Sequence, residues 1–167
     1  PFTALLVATV SASICTRNSA ICRSSSVSIS SNVALACSFR HALIRDGAYE
    51  GLSFRRRREL HGRVAEVLEQ RTPDAVELLS LHYDRADDKP ATWRYSLAAG
   101  RSAQEKWANL EAAEFYERAL DAAPEVAELT STEIAEAWEA LGDCRQLGGK
   151  LEAAGNAFEQ AREHRPE

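Results

Sequence analysis

Apolar residues recur at helical spacing along this chain from about Phe54 to its end. The first clear amphipathic stretch carries its apolar stripe at spacings of four, three and one, at Leu60, Val64, Val67 and Leu68. No strand-like alternation of period two occurs after Phe39. The pattern therefore predicts an all-α body made of antiparallel helix pairs that are joined by short turns.

The same periodicity predicts the individual helices, at about residues 54–71, 72–87, 91–106, 109–123, 130–147 and 150–163. Thr72 and Asn109 have the side chains of N-caps, which accept hydrogen bonds from the first free amides of a helix. Pro73 suits a first helical turn, so the second helix is expected to start at about that residue. Residues 87–90 have the composition of a turn between helices.

The fifth predicted helix has the clearest boundaries. Thr130 and Glu133 stand at the spacing of a capping box. Gly148 and Gly149 follow its last apolar residue, where glycine commonly ends a helix. We interpret this glycine pair as a helix stop and not as a phosphate-binding loop, because no hydroxyl residue follows Lys150.

Composition changes sharply after Ser38. Residues 1–38 contain two arginines and no acidic residue, whereas the rest of the 167-residue chain carries a formal charge of −7 from 18 basic and 25 acidic residues. Residues 11–38 are rich in serine, which alternates with Val27 and Ile29 in a weak strand pattern. Three interpretations stay open for this atypical segment: a targeting peptide, a strand and loop of a preceding domain, or a misread frame joined at Phe39.

Composition also limits the cellular environments in which the chain is expected. The apolar run at residues 4–10 is far shorter than the roughly 20 residues that a membrane-spanning helix needs, so no membrane contact is expected. Four cysteines without a CxxC motif do not make a disulfide scaffold, and Cys144 is read as a small buried residue in a reducing cytoplasm. The chain has no Met and begins with Pro1, so we interpret it as a piece of a longer protein or an altered product.

Side chains that could in principle act in catalysis or bind a ligand are interpreted mainly as structural. His61 and His82 are expected to pack between helices, because no two histidines lie three or four apart and no cysteine joins them at metal spacing. The aromatic residues at core spacing are interpreted as packing residues: Trp93, Trp107, Tyr116, Trp138 and Phe158. The basic run at residues 55–58 shares its helix with several glutamates, which disfavours nucleic acid as a partner. We expect no catalytic residue, metal or cofactor in this chain.

The last two helix pairs resemble tetratricopeptide repeats, at about residues 93–126 and 135–167. The second copy carries the small and large residues of that signature at Trp138, Leu141, Gly142, Ala154, Phe158, Ala161 and Pro166, with Arg145 where the family usually has Tyr. The first copy carries Gly100, Ala112, Tyr116, Ala119 and Pro124, with Ser96, Ala99 and Ala103 in place of larger residues. The two copies are offset by 42 residues.

This resemblance implies a right-handed solenoid whose first helices line a groove for a protein or peptide partner. The groove positions carried over from the family are Arg94, Leu97, Arg101, Gln104, Glu105, Glu136, Glu139, Asp143, Gln146 and Leu147. The Lys, Asn and Arg set that grips chaperone tails in some relatives is absent from these positions. An alternative interpretation of the same residues is a solvated surface without a ligand.

A second resemblance covers the start of the helical body. Two phrases, F-x-H-x-L-x-R-x-x-x-Y and R-x-x-L-H-x-x-V-A-x-x-L-E, are matched by Phe39, His41, Leu43, Arg45 and Tyr49 and by Arg57, Leu60, His61, Val64, Ala65, Leu68 and Glu69. They resemble the junction after the winged-helix-like segment of bacterial STAND or AAA-type ATPase regulators, which are linked to adenylate or guanylate cyclases or are LuxR-like. The resemblance implies the helical arm of such a regulator, without its catalytic parts.

Together these patterns predict an atypical segment at residues 1–38, a junction at 39–53 and a repeat domain at 54–167. The expected function is that of a non-catalytic, cytoplasmic interaction module in signal transduction. Its partner is expected to be another protein or the ATPase module of the parent chain, and self-association stays open. Two alternatives remain at this point: a small helical enzyme, and a truncated or misread product without an independent function.

Overall fold

The computed structural model describes residues 26–28, 36–38, 46–47 and 49–165. The chain divides into two compact units, Pro1–Val67 and Leu68–Glu167, which we describe one at a time. Most of the Ser-rich segment, the apolar run before it and the signature residue Pro166 lie outside the described residues. The domain boundaries inferred from sequence at residues 38 and 53 stay predictions.

The first unit contains one short strand pairing. Strands β1 (Ser26–Ser28) and β2 (Ala36–Ser38) are antiparallel, with Val27 opposite Cys37. The pairing falls where the alternation around Val27 indicates a strand. The other elements of the described residues are helical, so the predicted all-α class is confirmed for the body of the chain.

Helix α1 (Phe54–Arg71) begins and ends at the predicted residues. Three residues of its N-terminal part and of the preceding segment, all from the junction phrases, come together. Tyr49 Oη and His61 Nε2 share a hydrogen bond of 2.9 Å, and the Arg57 guanidinium lies 5.3 Å from the centroid of the Tyr49 ring. His61 is buried, as expected of a packing residue.

The second unit continues with the end of α1 and then with five helices in chain order: α2 (Val76–Ala86), α3 (Lys89–Glu105), α4 (Asn109–Ala122), α5 (Ser131–Leu147) and α6 (Leu151–His164). A short 3₁₀ turn, Ala123–Glu125, follows α4 and contains Pro124. From α2 onward each helix packs against the next one along the chain.

The boundary of α5 was predicted correctly. The Thr130 hydroxyl accepts a hydrogen bond from the Glu133 amide at 3.2 Å, and the Glu133 carboxylate accepts one from the Thr130 amide at 2.8 Å. This reciprocal capping box satisfies two amides that the helix leaves free. Gly148 caps the other end, and Gly149 takes the left-handed conformation with φ of 77°.

Two predicted N-caps are wrong. The Thr72 hydroxyl donates back to the Leu68 carbonyl of α1, so Thr72 extends the end of α1 and α2 begins only at Val76. Asn109 is the first residue inside α4, and the capping position falls on Ala108, which offers no side-chain acceptor. In both places a short polar side chain resembles a cap in sequence, but the preceding backbone decides where the helix starts.

The stretch at 87–90 is a shorter turn than predicted. Asp87 ends α2 in the left-handed conformation with φ of 60°. The Asp88 carboxylate then accepts a hydrogen bond from the Ala91 amide at 3.1 Å and caps α3. Lys89 and Pro90 already belong to the first turn of α3, where a missing proline amide costs nothing.

Helices α5 and α6 repeat the bounds of α3 and α4 residue for residue. Each bound lies 42 residues after its counterpart, as the pairs 89 and 131, 105 and 147, 109 and 151, and 122 and 164 show. The capping residues correspond as well, since Asp88 and Thr130 are 42 apart and each accepts from the third residue of its helix. The offset read from the signature is therefore also an offset of backbone structure.

Close contact between the paired helices depends on two glycines. A Cβ atom on Gly142 of α5 would lie 2.5 Å from the Phe158 ring of α6. A Cβ atom on Gly100 of α3 would lie 2.9 Å from the Tyr116 ring of α4. Only glycine permits each ring to rest on the backbone of the facing helix.

Small residues fill most of the remaining helix contacts. Four alanines of the signature are buried with at most 2% of their surface exposed: Ala112, Ala119, Ala154 and Ala161. Cys144 is fully buried, as predicted, and burial raises the pKa of its thiol to about 11. Trp107 is the exception among the five aromatic residues predicted to pack, because 81% of it is exposed; its assignment to the core was wrong.

Candidate functional site

A cavity of about 350 Å³ opens on the second unit between α3 and α5, with α4 beneath it. Its walls and floor are formed by Leu97, Arg101, Gln104, Tyr116, Glu133, Glu136, Ala137 and Ala140. The mixture of apolar and charged lining residues is typical of a site that recognises a ligand with both kinds of group.

Four of the groove positions inferred from the family line this cavity: Leu97, Arg101, Gln104 and Glu136. The structure places two others in contacts elsewhere. Arg94 donates a hydrogen bond of 3.0 Å to Glu69, and Glu139 forms an ion pair of 2.6 Å with Arg165. The remaining four, Glu105, Asp143, Gln146 and Leu147, are exposed and do not line the cavity.

The floor of the cavity is a buried polar contact. The Tyr116 hydroxyl donates a hydrogen bond of 2.6 Å to the Gln104 side-chain oxygen. Burial raises the pKa of Tyr116 to about 12, so the hydroxyl stays protonated at neutral pH. Its oxygen keeps lone pairs that a ligand donor reaching the floor can use.

The walls carry opposite charges. Arg101 stands on α3, whereas Glu133 and Glu136 stand on α5. Arg101 and Glu136 are exposed and form no ion pair with a described residue, whereas the Glu133 carboxylate serves the capping box. Two charged side chains of opposite sign are therefore available on facing walls of the cavity.

Sequence reasoning missed Glu133 and Tyr116 as lining residues. Glu133 was recognised only as a helix cap, and it does both because the first turn of α5 borders the opening. Tyr116 was recognised only as a packing residue, and its ring does pack on Gly100 while its hydroxyl reaches the cavity floor. The hydroxyl, which Phe158 lacks in the second pair, was the available signal.

Arg145 stands where related repeats usually have Tyr, and it ties three helices together. One nitrogen of its guanidinium donates to the Ala153 carbonyl of α6 at 3.1 Å. The other donates to the Glu117 carboxylate of α4 at 2.9 Å. The side chain replaces an aromatic packing contact by directed hydrogen bonds between the two helix pairs.

Ser96 occupies the position that Trp138 has in the second pair. Its hydroxyl shares a hydrogen bond of 2.8 Å with the Ser80 hydroxyl of α2, and both residues are buried. The Arg118 guanidinium of α4 also donates to Ser80 at 2.9 Å. A small polar network thus fills the space where a large indole would otherwise be needed.

A carboxylate at the end of α1 collects three further donors. Glu69 accepts hydrogen bonds from the hydroxyls of Tyr83 and Tyr95 and from Arg94. The Tyr83 and Tyr95 rings are stacked with centroids 5.3 Å apart. The hydrogen bonds from Tyr83 and then Tyr95 lower the pKa of Glu69, because they favour its charged form.

Little in the described residues favours covalent or metal chemistry. His82 is buried, and burial lowers its pKa to about 4, so the imidazole is neutral at pH 7. The protonated thiol of Cys144 is a poor nucleophile. Among the described residues no group of three or more His, Cys, Asp or Glu side chains is placed to hold a metal ion.

None of the described helices combines the length and the apolar character that crossing a bilayer demands.

No protein-family model matches the chain, and no curated protein matches it significantly. The resemblance to tetratricopeptide repeats stated above is a resemblance of residues and spacing alone.

Proposed function

We propose that this chain is a non-catalytic interaction module whose helix pairs stack in the manner of tetratricopeptide repeats and bind a peptide segment of a partner in the cavity between α3 and α5. The observation that carries the proposal is the repeated contact of Gly100 with Tyr116 and of Gly142 with Phe158. Two structurally equivalent units of this kind place their first helices side by side and leave a groove between them.

The chemistry of the cavity supports a peptide as the ligand. Leu97, Ala137 and Ala140 offer apolar contact, and the Tyr116 hydroxyl oxygen offers an acceptor. Arg101 and Glu136 offer opposite charges across the opening. An extended peptide combines apolar side chains, backbone donors and charged side chains within a few residues, so it can use all of these groups together.

The parent protein in this proposal is a STAND or AAA-type ATPase regulator with a cyclase or DNA-binding output. The junction phrases support it, and three of their residues, Tyr49, Arg57 and His61, contact one another. In such a protein a helical arm biases the ATPase between two states, because a ligand that prefers one state shifts the equilibrium toward it. A cytoplasmic location belongs to the same proposal.

The test is a selection of peptides by the full chain from a random dodecapeptide library, with affinities measured by fluorescence anisotropy. The groove variant combines Arg101→Glu with Glu136→Arg, which exchanges the charges across the cavity and keeps the net charge. We expect the selected peptides to bind this variant at least about tenfold more weakly, a loss of about 1.4 kcal/mol.

The matched control combines Arg162→Glu with Glu159→Arg on α6, an exchange of exposed charges away from the cavity. It should bind the same peptides with unchanged affinity. Peptides that bind the groove variant as tightly as the original chain would show that the cavity is not the binding site.

A further inference from the structure

A second surface of the same unit lies at the two turns that join α3 to α4 and α5 to α6. Four large apolar side chains at these turns are exposed: Trp107, Leu110, Leu147 and Leu151. We call these four residues the turn patch. Trp107 is 81% exposed and Leu151 70%, which is far more than a packing role would leave open.

The two turns have the same backbone. Trp107 and Gly149, 42 residues apart, take the left-handed conformation with φ of 60° and 77°. The Trp107 amide donates to the Gln104 carbonyl at 2.9 Å, and the Gly149 amide donates to the Gln146 carbonyl at 3.0 Å. Trp107 thus fills a position where the second turn has glycine.

Tryptophan is an unfavourable choice for this position on conformational grounds. A left-handed backbone disfavours any residue with a Cβ atom, and Gly149 shows that the turn forms without one. Exposure of the indole removes the other usual reason for a tryptophan, which is burial in the core. Neither the backbone conformation nor burial in the core accounts for a tryptophan at this position.

The patch is continuous across the two turns. A Cβ atom on Gly148 would lie 3.2 Å from the Leu110 side chain, so Leu110 of α4 rests against the backbone of the second turn. Leu147 and Leu151 flank that same turn in sequence, and Trp107 lies three residues before Leu110, in the turn that leads into α4. A cluster of this kind on a soluble surface marks an interaction site.

Charges around the patch indicate the kind of partner. Three exposed glutamates, Glu105, Glu111 and Glu152, lie within two residues of a member of the patch in sequence. Of the two nearby lysines, Lys106 is held by Glu77 at 3.2 Å and only Lys150 stays available. The rim is therefore acidic, which opposes an anionic membrane surface and favours basic groups on the partner.

We propose that the turn patch docks a protein helix whose apolar face is flanked by lysine or arginine side chains. Trp107 inserts as the central anchor, Leu110, Leu147 and Leu151 cover the apolar face, and the glutamates of the rim pair with the flanking basic groups. The surface is separate from the cavity between α3 and α5, so the two sites are tested independently.

The experiment titrates the full chain with two designed amphipathic helical peptides, one of leucine and lysine and one of leucine and glutamate. Tryptophan emission reports binding, because Trp107 is the most exposed of the three tryptophans. We expect the leucine–lysine peptide to shift the emission to the blue and to bind at least about tenfold more tightly than the leucine–glutamate peptide. Trp107→Gly should lose that affinity by at least about tenfold, measured with a labelled peptide.

Stability separates a docking role from a structural one. Trp107→Gly should leave the melting temperature of the chain unchanged or slightly raised, because glycine relieves the left-handed backbone. Phe54→Ser, which removes another exposed aromatic residue, serves as the control and should change neither affinity nor emission. The Arg101 and Glu136 charge exchange should also leave peptide binding at the patch intact.

Five results would overturn the proposal. A fall in melting temperature of more than about 4 °C in Trp107→Gly would assign the indole a structural role. Equal affinity for the two peptides would show that the acidic rim does not select the partner. Unchanged binding by Trp107→Gly would show that the indole is not the anchor. A blue shift on anionic vesicles alone would assign the patch to a membrane surface. Self-association in sedimentation that Trp107→Gly abolishes would assign it to a second copy of the chain.

Discussion

Helices α3 and α4 on one side, and α5 and α6 on the other, offer the same backbone twice within one unit. Bounds, capping positions and the left-handed turn residue all recur at an offset of 42. The side chains differ at most equivalent positions, and four of these contrasts bear on structure: Ser96 and Trp138, Ala103 and Arg145, Trp107 and Gly149, and Tyr116 and Phe158. The glycine beneath the aromatic ring is kept in both pairs, and so are the buried alanines at 112 and 154 and at 119 and 161.

This contrast separates what builds the repeat from what it is used for. The glycine and ring contact sets how closely two helices approach, and it tolerates no other residue at that place. Three of the four contrasts serve local purposes: a buried polar network, a tie between pairs and a cavity floor. Trp107 alone has no partner inside the described fold.

The largest expected effect comes from replacing the shared glycines. Gly142→Ala places a methyl group 2.5 Å from the Phe158 ring and should destabilise the chain by about 3 kcal/mol, because the two helices must move apart. Gly100→Ala meets the Tyr116 ring at 2.9 Å and should cost about 1–2 kcal/mol. Urea unfolding measures both differences.

Gly155→Ala is the matched control for this comparison. Gly155 lies on α6 with nothing within 4 Å of its virtual Cβ atom, so alanine should stabilise the helix by about 0.5–1 kcal/mol. Equal unfolding midpoints for Gly142→Ala and Gly155→Ala would mean that close helix approach does not govern stability here.

A smaller effect is expected from the tie between the two pairs. Arg145→Leu removes hydrogen bonds to Ala153 and Glu117 and should cost about 2 kcal/mol, because the carbonyl and the carboxylate lose a charged donor. Arg162→Leu removes an exposed guanidinium of α6 and should stay within about 0.5 kcal/mol of the original chain. Similar losses for the two variants would show that Arg145 acts only as a surface charge.

The smallest effect is expected from adding or removing the hydroxyl group on the aromatic ring that rests on each glycine. Tyr116→Phe deletes the hydrogen bond to Gln104 and should cost about 1 kcal/mol. Phe158→Tyr should be close to neutral, because Gln146 stands 42 residues after Gln104 and offers the new hydroxyl an equivalent acceptor. A large loss in Phe158→Tyr would break the equivalence of the two pairs at their core.

Local sequence signals predicted the second pair better than the first. Helix α5 has a capping box and a glycine stop, and these are contacts within one turn of backbone that the sequence alone can specify. The start of α2 and the N-cap of α4 were misplaced, because Thr72 bonds back to α1 and Asn109 lies already inside its helix. Competition between two neighbouring elements for one polar side chain has no signature of its own in sequence.

The candidate site was predictable only in part for a related reason. Leu97, Arg101, Gln104 and Glu136 follow from helical register, which a signature carries. The engagement of Arg94 by Glu69 and of Glu139 by Arg165 depends on residues 25 and 26 positions away, and such pairings follow only from the packed structure. The sequence did not reveal the exposure of Trp107, because the helical spacing of apolar residues continues through the turn in which it lies.

The order of contacts along the second unit has a consequence for how it assembles. From α2 to α6 the strong contacts join helices that are consecutive in the chain. Loops that close over short distances lose little entropy, so such a unit can fold quickly and from more than one starting point. Hydrogen exchange should then be slowest in α3, α4 and α5, which have a neighbour on each side, and fastest in α6, where the last described helix can fray without opening the rest.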